Sequence, residues 1–179
     1  SQIKRYIHSL DWDHPWGTAS HFSHLIFFMT VNKTFDRRDN SERDLIDLAF
    51  TEVNKYKQDD GTWYNNSTSK VQKVNGAMKM ITAYMVAERD DLANRQKLID
   101  LCLSLTTDED ACNNFNLVLV LYFCSRNLDY REGEIKVFCL DRLRVYRDYY
   151  WPEHGGFSFY RKHANSFYYG AKVSEGLQE

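Results

Sequence analysis

The sequence predicts an all-α fold built from helical hairpins of about 47 residues. Three observations carry that expectation. Apolar residues recur at helical spacing along most of the chain. Only two prolines and eight glycines interrupt 179 residues. A turn-plus-helix pattern also occurs twice at one fixed separation.

The elements follow from these patterns in chain order. A first helix, about 19–32, opens at Thr18 or Ser20 and is apolar nearly all round. Ser41 opens a second, with Glu42 and Asp44 in its first turn and Leu45, Leu48, Ala49 and Val53 as its apolar face. Val71, Val74, Met78, Ile81 and Met85 step by three and four, which predicts a helix over about 70–88. Leu98, Cys102 and Leu105 mark one over about 93–106. The stretch from Asn113 to Arg126 is apolar almost all round, which implies burial on every side. Ile135, Phe138, Val145 and Tyr149 carry a long helix over about 131–150, and a last one starts near Ser166. Strand signals are poor: Phe157-Ser158-Phe159-Tyr160, after Gly155-Gly156, reads as an aromatic turn.

The repeat organises these helices. Gly61-Thr62-Trp63-Tyr64 is followed by Gly76-Ala77-Met78, and Gly156-Phe157-Ser158-Phe159 by Gly170-Ala171-Lys172. The paired glycines lie 95 and 94 residues apart, twice a unit of about 47. Counting one unit from Gly61 reaches Asp108, in an acidic turn before an apolar helix. Each unit is then a polar helix, a long turn and a more apolar helix, the alternation a two-layer ring or solenoid produces.

Composition excludes several function classes. Net charge is −2, with 23 basic and 25 acidic residues, so no basic field points to nucleic acid. The longest apolar run, around Leu117–Cys124, is far short of the roughly 20 residues of a membrane span. The N-terminus carries no signal-peptide pattern, and the four cysteines have no CxxC spacing. The expectation is a cytoplasmic protein with buried thiols. Glycine-rich phosphate loops, G-x-S-x-G elbows and HExxH motifs are absent.

Two turns carry a family resemblance. Gln58-Asp59-Asp60-Gly61-Thr62-Trp63 resembles the Q…DG-x-W turn of squalene and oxidosqualene cyclases, one residue short of its usual spacing. Gly155-Gly156-Phe157 resembles the GGF turns of protein prenyltransferase β subunits. Both families fold as α/α toroids in which such turns join an outer helix to an inner one. The resemblance spans roughly residues 41–179 and implies a partial or open α/α toroid. It implies an isoprenoid or similar apolar-tailed ligand in an aromatic central cavity. Closed toroids of these families use five or six hairpins. With fewer than four units, residues 1–179 are expected to be a single domain that is a piece of a longer chain, or one completed by another copy.

The resemblance can be followed residue by residue. Asp110-Ala111-Cys112 matches the D-x-C zinc pair of the prenyltransferases, but Tyr169 stands where that family has its zinc histidine. A phenol is a poor zinc ligand, so no cofactor is expected, with zinc on Asp110 and Cys112 as the weaker alternative. The D-x-D-D acid of the cyclases is missing; Asp108 and Asp110 are the carboxylates nearest to that role. Lys73, with Lys70, Lys79 and Arg161-Lys162, is a candidate diphosphate contact.

The segment from Asp11 to His24 is the chemically densest. His21 and His24 are three apart on one helix face and could share a metal, with Asp11, Asp13 or His14 as a third ligand. In a toroid they would gather with Asn113, Asn114, Tyr168 and Tyr169 at one mouth of the cavity. Trp12, Trp16 and Trp63 supply flat faces for an isoprenoid or a sugar ring. His21, His24, Asp110 and Tyr169 are thus the catalytic candidates. Three functions stay open: isoprenoid binding or processing, a carbohydrate-active toroid such as a lyase or glycosidase, and a non-catalytic helical-repeat interaction module. The partner is a small molecule in the first two.

Overall fold

A computed structural model describes residues 1–35, 41–105 and 110–164, with residues 41–43 described as backbone only. The described residues are mainly helical. Seven helices follow in order: α1 Gln2–Ser9, α2 Pro15–Phe35, α3 Ser41–Val53, α4 Lys70–Val86, α5 Arg95–Leu103, α6 Ala111–Ser125 and α7 Glu132–Tyr146. A hairpin of two short antiparallel strands follows α7, with β1 Tyr150–Trp151 on β2 Gly156–Phe157.

Local chemistry sets the helix starts. The Ser69 hydroxyl accepts from the Gln72 amide (3.4 Å), and the Asp110 carboxylate accepts from the Asn113 amide (2.7 Å). Helix α2 begins on Pro15, earlier than Thr18, because proline fits a first helical turn whose N–H has no partner. Helix α7 stops at Tyr146, short of residue 150, and Tyr150 enters β1 instead. The expected aromatic turn is therefore partly strand, with Gly155 at φ +65° supplying the tight reversal. Helix α1 had no sequence-based counterpart. The helix expected near Ser166 lies outside the described residues.

The packing is two-layered. Helix α4 lies between α2 and α6, and α3, α5 and α7 pack on the outer side of that row. Helices α2 and α4 run parallel: Pro15 meets Gly76 near their starts, and Thr30 and Thr34 share a cavity with Val86 and Ala87 near their ends. The core fills the space between the layers with Phe22, Ile26, Phe50, Trp63, Tyr64, Met80, Ile81, Leu98 and Leu121. Phe50 meets Phe22 edge-on at 5.5 Å and Tyr84 at 4.6 Å. The inner helices begin at Pro15, Lys70 and Ala111, so the second step is shorter than the first and the repeat is uneven. The long loop 57–69, which carries the glycine–aromatic turn, accounts for the longer unit. Among the described residues the array is open, and no closed ring is present.

Candidate ligand-binding face

The inner row has one side on the outer helices and one side without a cover among the described residues. On α2 the covered side carries Thr18, Ala19, Phe22, Ser23, Ile26 and Met29. The uncovered side carries Trp16, His21, His24, Phe27 and Phe28, all exposed. On α6, Phe115 and Tyr122, seven residues apart and so on one stripe, are 53% and 61% exposed. Phe27 and Phe28 are 47% and 63% exposed and touch edge-on at 5.6 Å. The all-round apolar character of α2 and α6 therefore does not mean burial on every side. One face packs in the core, and the other presents aromatics to the open side of the row. Lys79 and Thr82 of α4 lie between them, half-buried because helices flank α4 on both sides.

His21 and His24 sit on this face as helical spacing requires, with no hydrogen bond or ion pair among the described residues. None of the suggested third metal ligands joins them among the described residues: His14 Nδ1 bonds Asp11 Oδ2 at 2.6 Å, and Asp13 Oδ1 accepts from Asn65 Nδ2. The Asp13 amide, with His14, holds the Asp11 carboxyl below its usual range. Among the described residues, no group of three His, Cys, Asp or Glu side chains is placed to hold a metal.

The prenyltransferase-type zinc pair fits poorly. Asp110 uses one carboxylate oxygen on the Asn113 amide and the other on Asn113 Nδ2 (2.6 Å). Both oxygens are committed to capping α6, and Tyr168 and Tyr169 lie outside the described residues. Asn114 is buried, donating to the Asp110 carbonyl (2.9 Å) and accepting from Arg142 Nη1 (3.0 Å). Asn113 accepts from Asn75 Nδ2 at 2.8 Å. These two asparagines join helices and do not line an open mouth.

The basic cluster separates. Lys73 is 4% exposed and pairs with Asp60, so it anchors the Gly61 turn to α4 and is not available to a diphosphate. Burial would raise the Asp60 carboxyl, but Lys73 and the Thr62 hydroxyl and amide outweigh it and hold it below its usual range. Lys70 donates to Ser104 (3.3 Å), and Arg161 pairs with Asp148 (3.6 Å). Lys79 alone of these reaches the open face, with its ammonium 5.4 Å from the Trp16 ring centre.

The three tryptophans also part company. Trp12 is in the core, its Nε1 donating to the Ile7 carbonyl (3.2 Å) and its ring stacked on Tyr56 at 4.6 Å. Trp63 is 1% exposed, donates to Asn54 Oδ1 (3.3 Å) and lies under Lys57. Neither walls a cavity. Trp16 is 54% exposed and borders a groove between the starts of α2 and α4.

No family model, curated protein or solved structure matches this chain. No described helix is long and apolar enough to cross a membrane.

Sequence reasoning missed Phe27, Phe28, Phe115 and Tyr122 as candidate contacts. Their signal was present as aromatics on helices already apolar on the opposite face. Whether such a helix is sheathed or half-open depends on how many neighbours the fold supplies, which the periodicity of one helix does not encode.

Proposed function

We propose that this chain binds an apolar-tailed ligand, an isoprenoid chain foremost, on the open face of the α2–α4–α6 row. The observation that carries the reading is the exposure of Phe27, Phe28, Phe115 and Tyr122 on that one side. Large exposed apolar patches mark interaction sites, and covering one such side chain contributes about 1.5–3 kcal/mol. On this reading the array is an arc of an α/α toroid of the terpenoid cyclase and prenyltransferase type, and its open face belongs to the central cavity. The alternation of inner and outer helices and the Gly61 turn before inner helix α4 support that arrangement. His21 and His24 are the titratable groups that would face the ligand; a zinc-dependent transfer is not part of the proposal.

Equilibrium binding of farnesol and farnesyl diphosphate tests it. Both should bind, and Phe28→Ser and Phe115→Ser should each weaken both at least fivefold. These positions are exposed, so the variants should keep the parent melting temperature. Failure of both probes to bind, or equal binding by both variants, sinks the reading. Binding of the diphosphate alone would point to charge recognition and not to the aromatic face.

A further inference from the structure

The groove beside Trp16 has its own chemistry. It encloses ≈ 540 Å³, within the range of about 300–1,000 Å³ typical of small-molecule sites. Asp13 and Trp16 form one wall and Ser67, Thr68, Ser69 and Gln72 the other. The loop bearing the hydroxyls is held in shape from within. Asn65 Oδ1 accepts from the amides of Ser67 (3.0 Å) and Thr68 (3.2 Å), and Asn65 Nδ2 donates to Asp13 Oδ1. That last bond ties the two walls together and fixes a carboxylate at the rim.

The result is one flat, half-exposed indole, with Lys79 over its ring at 5.4 Å, beside a rim of short hydroxyl, amide and carboxylate groups. A pyranose ring matches this pattern: its axial C–H face lies on an aromatic ring while its equatorial hydroxyls both donate and accept at the edge. An anion matches it badly. Asp13 is at the rim, His14 in the lining is tied to Asp11, and the Ser67 and Thr68 amides and hydroxyl protons are already spent on Asn65. An apolar chain would offer the Asp13 carboxylate and the Gln72 amide at the rim nothing to bond.

We propose that the Trp16 groove is a binding site for a neutral saccharide, with Trp16 as its stacking platform, Asp13 and Gln72 as hydroxyl partners, and Ser67, whose own hydroxyl donates to Asn65 Oδ1 (2.5 Å), as an acceptor. This site does not depend on the aromatic face of the inner row.

A glycan array of uncharged α- and β-linked oligosaccharides probed with the purified chain is the first experiment. Titration of any retained glycan by calorimetry follows. The expected result is retention of at least one neutral glycan, with affinity unchanged between 50 mM and 500 mM NaCl. Trp16→Ala should weaken it at least tenfold and Gln72→Ala at least threefold. Phe115→Ala, away from the groove, should bind as the parent does, which separates this site from the farnesol face. Trp16 and Gln72 are exposed, and melting temperatures check that their variants fold. No retained glycan, undiminished binding by Trp16→Ala, or retention of charged glycans alone with loss in salt would each overturn the proposal.

Discussion

The phenol of Tyr64 is pressed against Gly76 in the seam between α2 and α4. A Cβ placed on Gly76 would meet the Tyr64 hydroxyl, would lie 2.5 Å from Tyr64 Cζ and would lie 2.7 Å from Pro15 Cβ. Tyr64 is fully buried, and its hydroxyl has no hydrogen-bond partner among the described residues. Gly76 sits inside a helix, where alanine ordinarily gains about 1 kcal/mol. Here the sign should reverse: Gly76→Ala should destabilise by about 1–3 kcal/mol through overpacking. Tyr64→Phe removes the oxygen and costs no hydrogen bond, so it should be near neutral. The double variant should recover part of the Gly76→Ala loss, a coupling measurable by urea unfolding. Additive effects within experimental error would show that the seam relaxes without involving the phenol.

Lys57 makes a pH signature. Burial pushes its amine down to about 8, against the pull of Cys124 and Asp91. Its ammonium donates to the Ala93 carbonyl (2.6 Å) over the Trp63 ring, with no carboxylate in contact among the described residues. A basic group lowered in the folded state costs stability below its folded pKa, and the cost fades between about 8 and its ordinary 10.5. The buried thiols work the other way: burial raises Cys102 and takes Cys124 to about 12, so they oppose stability once unfolded thiols ionise. A difference between parent and Lys57→Met cancels the thiol effect. The parent should gain on Lys57→Met as pH rises from 7 to 9.5, by about 1–2 kcal/mol after allowance for solvent screening. A difference that stays flat over that range would mean Lys57 titrates normally.

The helix content was legible because periodicity reports local amphipathicity, and the expected helices over 70–88, 93–106 and 113–126 lie within a few residues of α4, α5 and α6. What sequence could not supply was pairing. Lys73 and Trp63 have residue types that suit ligands, yet a carboxylate thirteen residues upstream takes the one and Asn54 the other. Trp12 and Trp16 are four residues apart, and only the register of the entry to α2 decides that one stacks on Tyr56 and the other faces solvent. Helix α1 escaped notice because it is held by a charged cluster and a single fully buried side chain, Ile7.

That cluster centres on Glu52, which is 2% exposed. It meets Lys55 at 2.7 Å, His8 at 3.1 Å and Lys4 at 3.2 Å; His8 also binds the Tyr56 hydroxyl at 2.7 Å. The Lys55 hydrogen bond foremost, then Lys4 and His8 against the effect of burial, bring the Glu52 carboxyl down to about 2. An acid lowered in the folded state contributes stability above its unfolded pKa, near 4.5, and that stability is lost as pH falls toward 2. Glu52→Gln should flatten the melting-temperature profile between pH 4.5 and 2. Amides of α1 should exchange faster in that variant at neutral pH while those of α4 keep their protection. An unchanged acid profile would assign the dependence to other carboxylates.

The seam between α4 and α6 is joined by an asparagine chain. Asn116 Nδ2 donates to Asn75 Oδ1 (2.9 Å), and Asn75 Nδ2 donates to Asn113 Oδ1 (2.8 Å). Asn75 and Asn116 are 8% and 5% exposed, so water cannot readily replace a missing partner. Asn116→Ala strands the Asn75 carbonyl and should cost about 1–3 kcal/mol. Replacing both by leucine removes the stranded group and should cost less than the two alanine losses added together. Because both asparagines come from inner helices, their bond also fixes the register of α4 against α6, and with it the spacing of Thr82 and Phe115 on the open face. Asn75→Leu/Asn116→Leu should therefore hold much of its stability while binding farnesol more weakly than the parent. Parent-like farnesol binding in a stable double variant would show that the face tolerates a shifted register.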